Sequence, residues 1–252
     1  MKLADYSAVI VSISGGKDSQ ACMDLIHQLA VEQQYSERIY AVHADTGAEW
    51  PESLPHCRYL CEAYGFDLHV AVPFRKLPDH IERRCRILQE QGKAGGWPSA
   101  ACRYCTSDCK RTPIHKVLRG LFSAKDKHDV LMITGERREE SKHRATLSAV
   151  QDVKRLAAGC RKVVNWRPIL DYKLADVWDT IEASGFPRHI AYDLGNERLS
   201  CGICVLACKN DILNGAEHMP ELAERYMAIE RETGHSFRHG KTLAEILQEA
   251  HQ

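Results

Sequence analysis

The chain has no excess of either charge: 34 Lys and Arg stand against 34 Asp and Glu in 252 residues. That balance excludes the global basic field of a non-specific nucleic-acid binder, although a local basic groove remains allowed. No apolar run approaches the ~18 residues that a membrane span needs. The opening Met1-Lys2-Leu3-Ala4-Asp5 lacks signal-peptide architecture, because the apolar run from Ala8 to Ile13 feeds straight into a glycine turn. Low-complexity linkers and fixed-period repeats are also missing. With 44% hydrophobic and 27% charged residues the composition is that of an ordinary globular protein, which excludes disorder as the main state. A soluble chain in the cytoplasm is expected.

Cysteine, by contrast, is abundant. Eleven is an odd number, and a reducing compartment disfavours disulfides as the explanation. Cys22, Cys57, Cys61, Cys85 and Cys160 lie singly or in helical-looking stretches and are expected to behave as small buried hydrophobes. The other six form two groups of matching layout. Cys102-x2-Cys105 is followed by Cys109, and Cys201-x2-Cys204 is followed by Cys208. Two such half-sites would supply four thiolates, which suit structural Zn²⁺ or a [4Fe–4S] cluster; spacing does not separate the two.

Periodicity predicts strands at Ser7–Ile13, Ile39–Ala44, Leu68–Val72, Asp129–Thr134 and Lys162–Trp166. Helices are predicted at Ser19–Glu32, Pro51–Tyr64, Pro113–Phe122, Leu174–Ser184, Pro220–Thr233 and Leu243–His251. The stretch from Phe74 to Cys109, with Gly92, Gly95, Gly96 and Pro98, reads as a less regular active-site insertion. Alternating strands and helices predict an α/β fold, a doubly wound, mostly parallel five-stranded sheet. The expected layout is a nucleotide-binding domain over residues 1–172, with a Cys-containing insertion at 74–112. A helical part over 173–252 carries the second Cys group.

In such sheets ligands sit beyond the carboxyl ends of the strands. Strand one ends in Ser14-Gly15-Gly16-Lys17-Asp18-Ser19 and opens into a helix. The glycines permit a sharp turn and close backbone approach. The helix start offers unpaired N–H groups and partial positive charge, which is an anion site. Lys17 adds a full charge, Ser14 and Ser19 add hydroxyls, and Asp18 is suited to hold Mg²⁺ on a phosphate. The Walker pattern and Gly-x-Gly-x-x-Gly are both absent.

Ser14-Gly15-Gly16-Lys17-Asp18-Ser19 resembles the PP-loop of N-type ATP pyrophosphatases, a superfamily that includes the phosphoadenosine phosphosulfate (PAPS) reductases. His43-Ala44-Asp45-Thr46-Gly47 with Glu49-Trp50-Pro51-Glu52 is similar to that family's second-strand motif. Gly135-Glu136-Arg137-Arg138-Glu139-Glu140-Ser141 resembles its fourth-strand motif, and Arg103-Tyr104-Cys105-Thr106 its Arg-aromatic-Cys-Thr segment. The likeness runs in order from about Ser7 to Leu213.

This resemblance implies an adenine nucleotide alpha hydrolase-like fold and a nucleotide (ATP, adenylyl sulfate or PAPS) held with Mg²⁺. It places Ser14 to Ser19, Asp45, Gly135, Glu140 and Ser141 at the nucleotide, and gives Lys17, Asp18, Arg137 and Arg144 catalytic roles; an Arg fork is the natural clamp for phosphate or sulfate. It tilts the cysteines towards a [4Fe–4S] cluster on Cys102, Cys105, Cys201 and Cys204, with Cys109 and Cys208 in reserve. Arg103, Lys110 and Arg111 are expected to lower nearby thiol pKa values.

The reading that follows is an ATP pyrophosphatase that adenylates an acceptor, coupled to sulfur transfer. The alternatives are an adenylyl-sulfate or PAPS reductase releasing sulfite, and a nucleotide-binding scaffold with structural zinc. Expected partners are a sulfur or electron donor protein, a tRNA or DNA acceptor and a second copy of the chain. The family's C-terminal Glu-Cys-Gly-x-His nucleophile has no counterpart after Cys208.

Overall fold

Residues 8–13, Ala-Val-Ile-Val-Ser-Ile, are short, apolar and largely β-branched, and such a run is stable only as a strand covered on both faces. The computed structural model describes residues 1–249 and places this run at the centre of a sheet. Its strands are β1 (Ala8–Ile13), β2 (Ile39–Ala44), β3 (Asp67–Ala71), β4 (His128–Thr134), β5 (Val150–Asp152) and β6 (Arg161–Trp166). They lie in the order β3-β2-β1-β4-β6-β5. Every pair is parallel except β5 with β6, which is antiparallel.

The period of two along β1 sorts its side chains between two cores. Val9, Val11 and Ile13 enter a cluster with Ala21, Cys22 and Ile26 of helix Lys17–Glu32 and with Val177 and Ile181 of helix Leu174–Ser184. Ala8 and Ile10 enter the opposite cluster, with Ile114, Leu118 and Phe122 from and beside helix Thr112–Leu121. The sheet is therefore wound on both faces, as expected from alternation. The sixth strand, β5, was not expected: its three residues are all exposed and carry no alternating pattern.

The chain divides into two compact units. The first comprises Met1–Ala44, Glu52–Ala71 and Ile114–His189 and contains the whole sheet; the second comprises Asp45–Pro51, Val72–Pro113 and Ile190–Gln252, of which residues 250–252 lie outside those described. The second unit is helical. Its core gathers Leu77, Ile81 and Cys85 of helix Leu77–Glu90 with Trp97, Tyr104, Tyr226, Ile229 and Phe237.

Trp97 meets Tyr226 and Phe237 edge-on, with ring centroids 5.1 and 5.2 Å apart, and donates its indole N–H to His235 O at 2.9 Å. The stretch read as irregular thus holds a regular 14-residue helix. Its apolar stripe is narrow, and the glycines that follow it dominate the local signal. Helix Lys209–His218 was also unpredicted. The last helix ends at Gln248, and the remainder of its expected span reaches the undescribed residues.

Candidate phosphate loop and thiol-rich site

Strand order reverses at β1, which lies between β2 and β4, so the switch point of the sheet falls at the carboxyl ends of β1 and β4. Both ends carry the expected residues. At the first, Gly15 turns at φ +78°, a conformation that only glycine adopts readily. A Cβ there would lie 3.4 to 3.6 Å from Ser53 O, Cys57 Sγ and His189 Cδ2. Gly16 N donates to Ser14 Oγ at 3.3 Å, and Ser19 Oγ donates to Gly16 O at 2.8 Å. Helix Lys17–Glu32 starts at Gly16 without a side-chain cap, which keeps its first turn in the form that receives anions. Lys17 is buried, with Nζ 5.9 Å from the Trp178 ring centroid and 4.0 Å from Asp18 Oδ2.

At the second end, Gly135 has to be glycine for a steric reason. A Cβ would lie 2.6 Å from Asp18 O and 3.0 Å from Ser19 N, so the end of β4 abuts the loop backbone to backbone. Arg137 then reaches across, and its Nε donates to Asp18 Oδ1 at 2.5 Å while Nη1 pairs with Glu139. Glu140 accepts from Arg137 N at 2.9 Å and pairs with Arg144. Ser141 Oγ accepts from Arg144 N at 3.2 Å. Glu136 lies 3.6 Å from Arg144 Nε and accepts from buried Arg167 Nε at 2.6 Å.

Arg138 instead binds Asp171 and the carbonyls of Ala145 and Leu147, a structural tie. The sequence did not single out Trp178, Ser53 or Arg167. Each is remote in the chain and carries no motif signal. Ser53 Oγ lies 3.3 Å from Nε2 of His189.

Asp45 belongs to the second unit. Its Oδ1 accepts from Gly47 N at 2.9 Å, an Asx turn, and its Oδ2 accepts from Lys76 Nζ at 2.8 Å. Glu49 lies ahead of the helix that begins at Ser53. Its carboxylate accepts from Thr46 N at 2.8 Å and from Thr46 Oγ1, lies 3.5 Å from Lys110 Nζ, and accepts from the Cys201 thiol at 3.8 Å.

Cys105 lies just before, and Lys110 within, a π-helical turn, Ser107–Arg111, inserted before helix Thr112–Leu121. Lys110 feels Cys201, Glu49, Cys204 and Cys105 together, and these raise its pKa. Three of the four expected ligands, Cys105, Cys201 and Cys204, thus share one electrostatic neighbourhood, while Cys102 is exposed. The expected lowering of thiol pKa is not found. Burial pushes the Cys109 thiol up to about 11 and raises Cys105 and Cys201 as well, outweighing the cations beside them. Cys208 caps helix Lys209–His218 by accepting from Asp211 N at 3.4 Å. Among the lone cysteines, Cys22, Cys57, Cys61 and Cys85 are buried as expected; Cys160 is exposed.

The donor set is right for a thiophilic metal. Among the described residues, however, no group of three or more His, Cys, Asp or Glu side chains is arranged to hold a metal ion. Nor is any helix there long and apolar enough to cross a membrane.

A glycine-rich loop at the switch point of a mostly parallel, doubly wound sheet is the α/β architecture in which nucleotide sites are commonly built. The chain belongs to the family of the phosphoadenosine phosphosulfate reductase domain, whose pattern it matches over residues 8–207. It is 26% identical over 228 residues to an uncharacterized protein of Methanocaldococcus jannaschii, covering 90% of this chain and 49% of that one. An uncharacterized 37.8 kDa protein of Escherichia phage 186 is 26% identical over 264 residues, covering 90% and 76%. The chain spans less than half the length of the two archaeal relatives it matches.

Among solved structures, a phosphoadenylyl-sulfate reductase from Candida auris superposes with a TM-score of 0.53 at 16% identity, covering 79% of this chain and 83% of that one. A Candida glabrata FMN adenylyltransferase gives 0.53 at 15%, covering 79% and 57%. These two similarities establish the fold.

Proposed function

We propose that the chain is an enzyme of sulfur metabolism that binds an adenosine 5′-phosphoanhydride at the loop of residues 14–19. The observation that carries this is the abutment of Gly135 on Asp18 and Ser19, which brings the fourth-strand arginines to a glycine loop within a family named for PAPS reduction. The reaction favoured by family membership is reduction of adenylyl sulfate or PAPS. Because the family's C-terminal cysteine has no counterpart after Cys208, a thiolate of the dithiol reductant would attack the sulfate sulfur, the S–O bond to the nucleotide would break, and the nucleotide would leave with its phosphate. A second thiol then attacks the S-sulfocysteine, forming a disulfide and releasing sulfite, with a dithiol protein as reductant. Lys17, Arg137, Arg144 and the loop N–H groups would neutralise charge on the leaving phosphate, which is an electrostatic role.

The presence of Asp18 favours a second reading. A carboxylate inside an anion site is useful when a divalent cation lies between it and the phosphates, which points to MgATP and adenylation of an acceptor followed by sulfur transfer. The acceptor would be tRNA, DNA or a small molecule.

Cys102, Cys105, Cys201 and Cys204 are proposed to hold a [4Fe–4S] cluster, or zinc. A cluster would relay electrons, whereas zinc would supply only a structural tie. Anaerobic purification with iron, sulfide and zinc analysis and an absorbance scan near ~400 nm distinguishes them.

The deciding assay offers the anaerobic protein adenylyl sulfate or PAPS with a dithiol reductant, and MgATP with sulfide and tRNA, DNA or small-molecule acceptors. Sulfite release with AMP or adenosine 3′,5′-bisphosphate establishes the reductase. Pyrophosphate and AMP from ATP establish the second reading, and neither product from any nucleotide rejects both.

A further inference from the structure

Asp18 lies in the first turn of helix Lys17–Glu32, in the middle of the anion loop, yet its carboxylate is already engaged. Arg137, with only 5% of its side chain exposed, donates Nε to Asp18 Oδ1 at 2.5 Å and pairs through Nη1 with Glu139. The Lys17 ammonium stands 4.0 Å from the other Asp18 oxygen. Two cations therefore face the one loop carboxylate, and two carboxylates face the buried Arg137 guanidinium.

This pairing has a direct consequence for metal and phosphate. A divalent cation approaching Asp18 meets Arg137 and Lys17 and has to displace a charge-assisted hydrogen bond. Removing one partner of a buried ion pair leaves an uncompensated charge, which is strongly unfavourable. A polyphosphate changes the balance, because it offers Arg137 a more highly charged acceptor that a guanidinium fork can grip at two oxygens. Once Arg137 turns to phosphate, Asp18 is released in a position to hold a cation carried on the same phosphates.

We propose that the Arg137–Asp18 pair is an exchange latch: in the ligand-free chain it withholds Asp18 from divalent cations, and polyphosphate opens it. Metal and polyphosphate then bind with positive coupling, each raising the other's affinity by the same factor. The inference rests on the reading of residues 14–19 as the phosphate site and adds the order in which that site assembles.

The test uses the full chain, inorganic pyrophosphate, and Mn²⁺ followed by its electron paramagnetic resonance signal. In the unsubstituted protein, pyrophosphate should strengthen Mn²⁺ binding by about tenfold or more, within the usual range of coupling between sites. Arg137→Gln should bind Mn²⁺ without pyrophosphate about tenfold more tightly than the parent, and adding Asp18→Asn should abolish that gain. No gain in Arg137→Gln, or a gain that survives Asp18→Asn, overturns the latch.

Should Arg137→Gln fail to fold, Asp18→Asn alone decides. It should bind metal-free pyrophosphate about tenfold more tightly, and more tightly than Glu139→Gln, which removes the same charge but leaves the latch shut. Equal affinity in Asp18→Asn and Glu139→Gln overturns the proposal. If the parent binds pyrophosphate with Mn²⁺ but the two ligands bind independently, the latch alone fails. If the parent binds no pyrophosphate at all, the phosphate-site reading fails with it.

Discussion

Single residues decide close contacts in both units. Gly135→Ala would force a methyl to 2.6 Å from Asp18 O, where backbone on both sides has to give. Overpacking of that kind costs about 1–3 kcal/mol, and here the displaced atoms belong to the candidate phosphate loop. The expected outcome is a lowered urea midpoint together with a loss of nucleotide affinity by calorimetry; unchanged affinity would separate Gly135 from the site.

In the second unit, buried Glu230 accepts from Phe237 N at 2.5 Å and Leu243 N at 3.0 Å. Burial raises its pKa above 4.5, more than these two donors lower it. A carboxyl whose folded pKa is raised binds its proton more tightly when folded, so its contribution to stability is fully present below the unfolded pKa and is lost as pH rises through the folded value. Glu230→Gln should therefore flatten the fall in stability of the parent above pH 4.5, measured by urea denaturation across that window; an unchanged slope assigns the fall to other groups.

The elements most legible in the sequence are those whose burial is continuous. β1 is apolar on both faces because helices cover both, and its boundaries came within one residue of those predicted. Ile10→Ala at its centre, fully buried among Leu118, Phe122 and Val130, should destabilise by about 2–5 kcal/mol, read from chemical denaturation. β5 left no signal because an exposed three-residue edge strand is defined by its partner: Val150 and Asp152 are ordered by pairing with Trp166 and Val164. Helix Leu77–Glu90 was hidden for a related reason. Leu77, Ile81 and Cys85 mark one residue per turn, a stripe too narrow to recognise beside a run of charges, and it becomes a helix face against Trp97 and Tyr226.

At the scale of the whole molecule the chain crosses repeatedly between its two units, and each unit carries a chemically different candidate site. The phosphate loop requires charge and backbone; the thiol-rich region requires soft donors. Their loss is therefore expected to be separable. Lys17→Ala should lower nucleotide affinity by at least about tenfold while bound iron or zinc is unchanged, since the loop positions a charge that the thiols do not use. Cys201→Ser should lower metal content first and leave nucleotide affinity within about twofold, consistent with independent sites. Calorimetry with metal analysis on the same preparations checks both, and metal loss in Lys17→Ala would show that the sites are interdependent.

The order of the five parallel strands, the glycine loop and the doubled cysteine spacing were written in the chain, because each depends on neighbours a few residues apart. Tertiary structure alone decided that Arg137 lies on Asp18, that Gly135 abuts the loop, and that Cys105 and Cys201 share the surroundings of Lys110. Such pairings join residues about a hundred positions apart. They follow from strand order and packing, which no local pattern encodes.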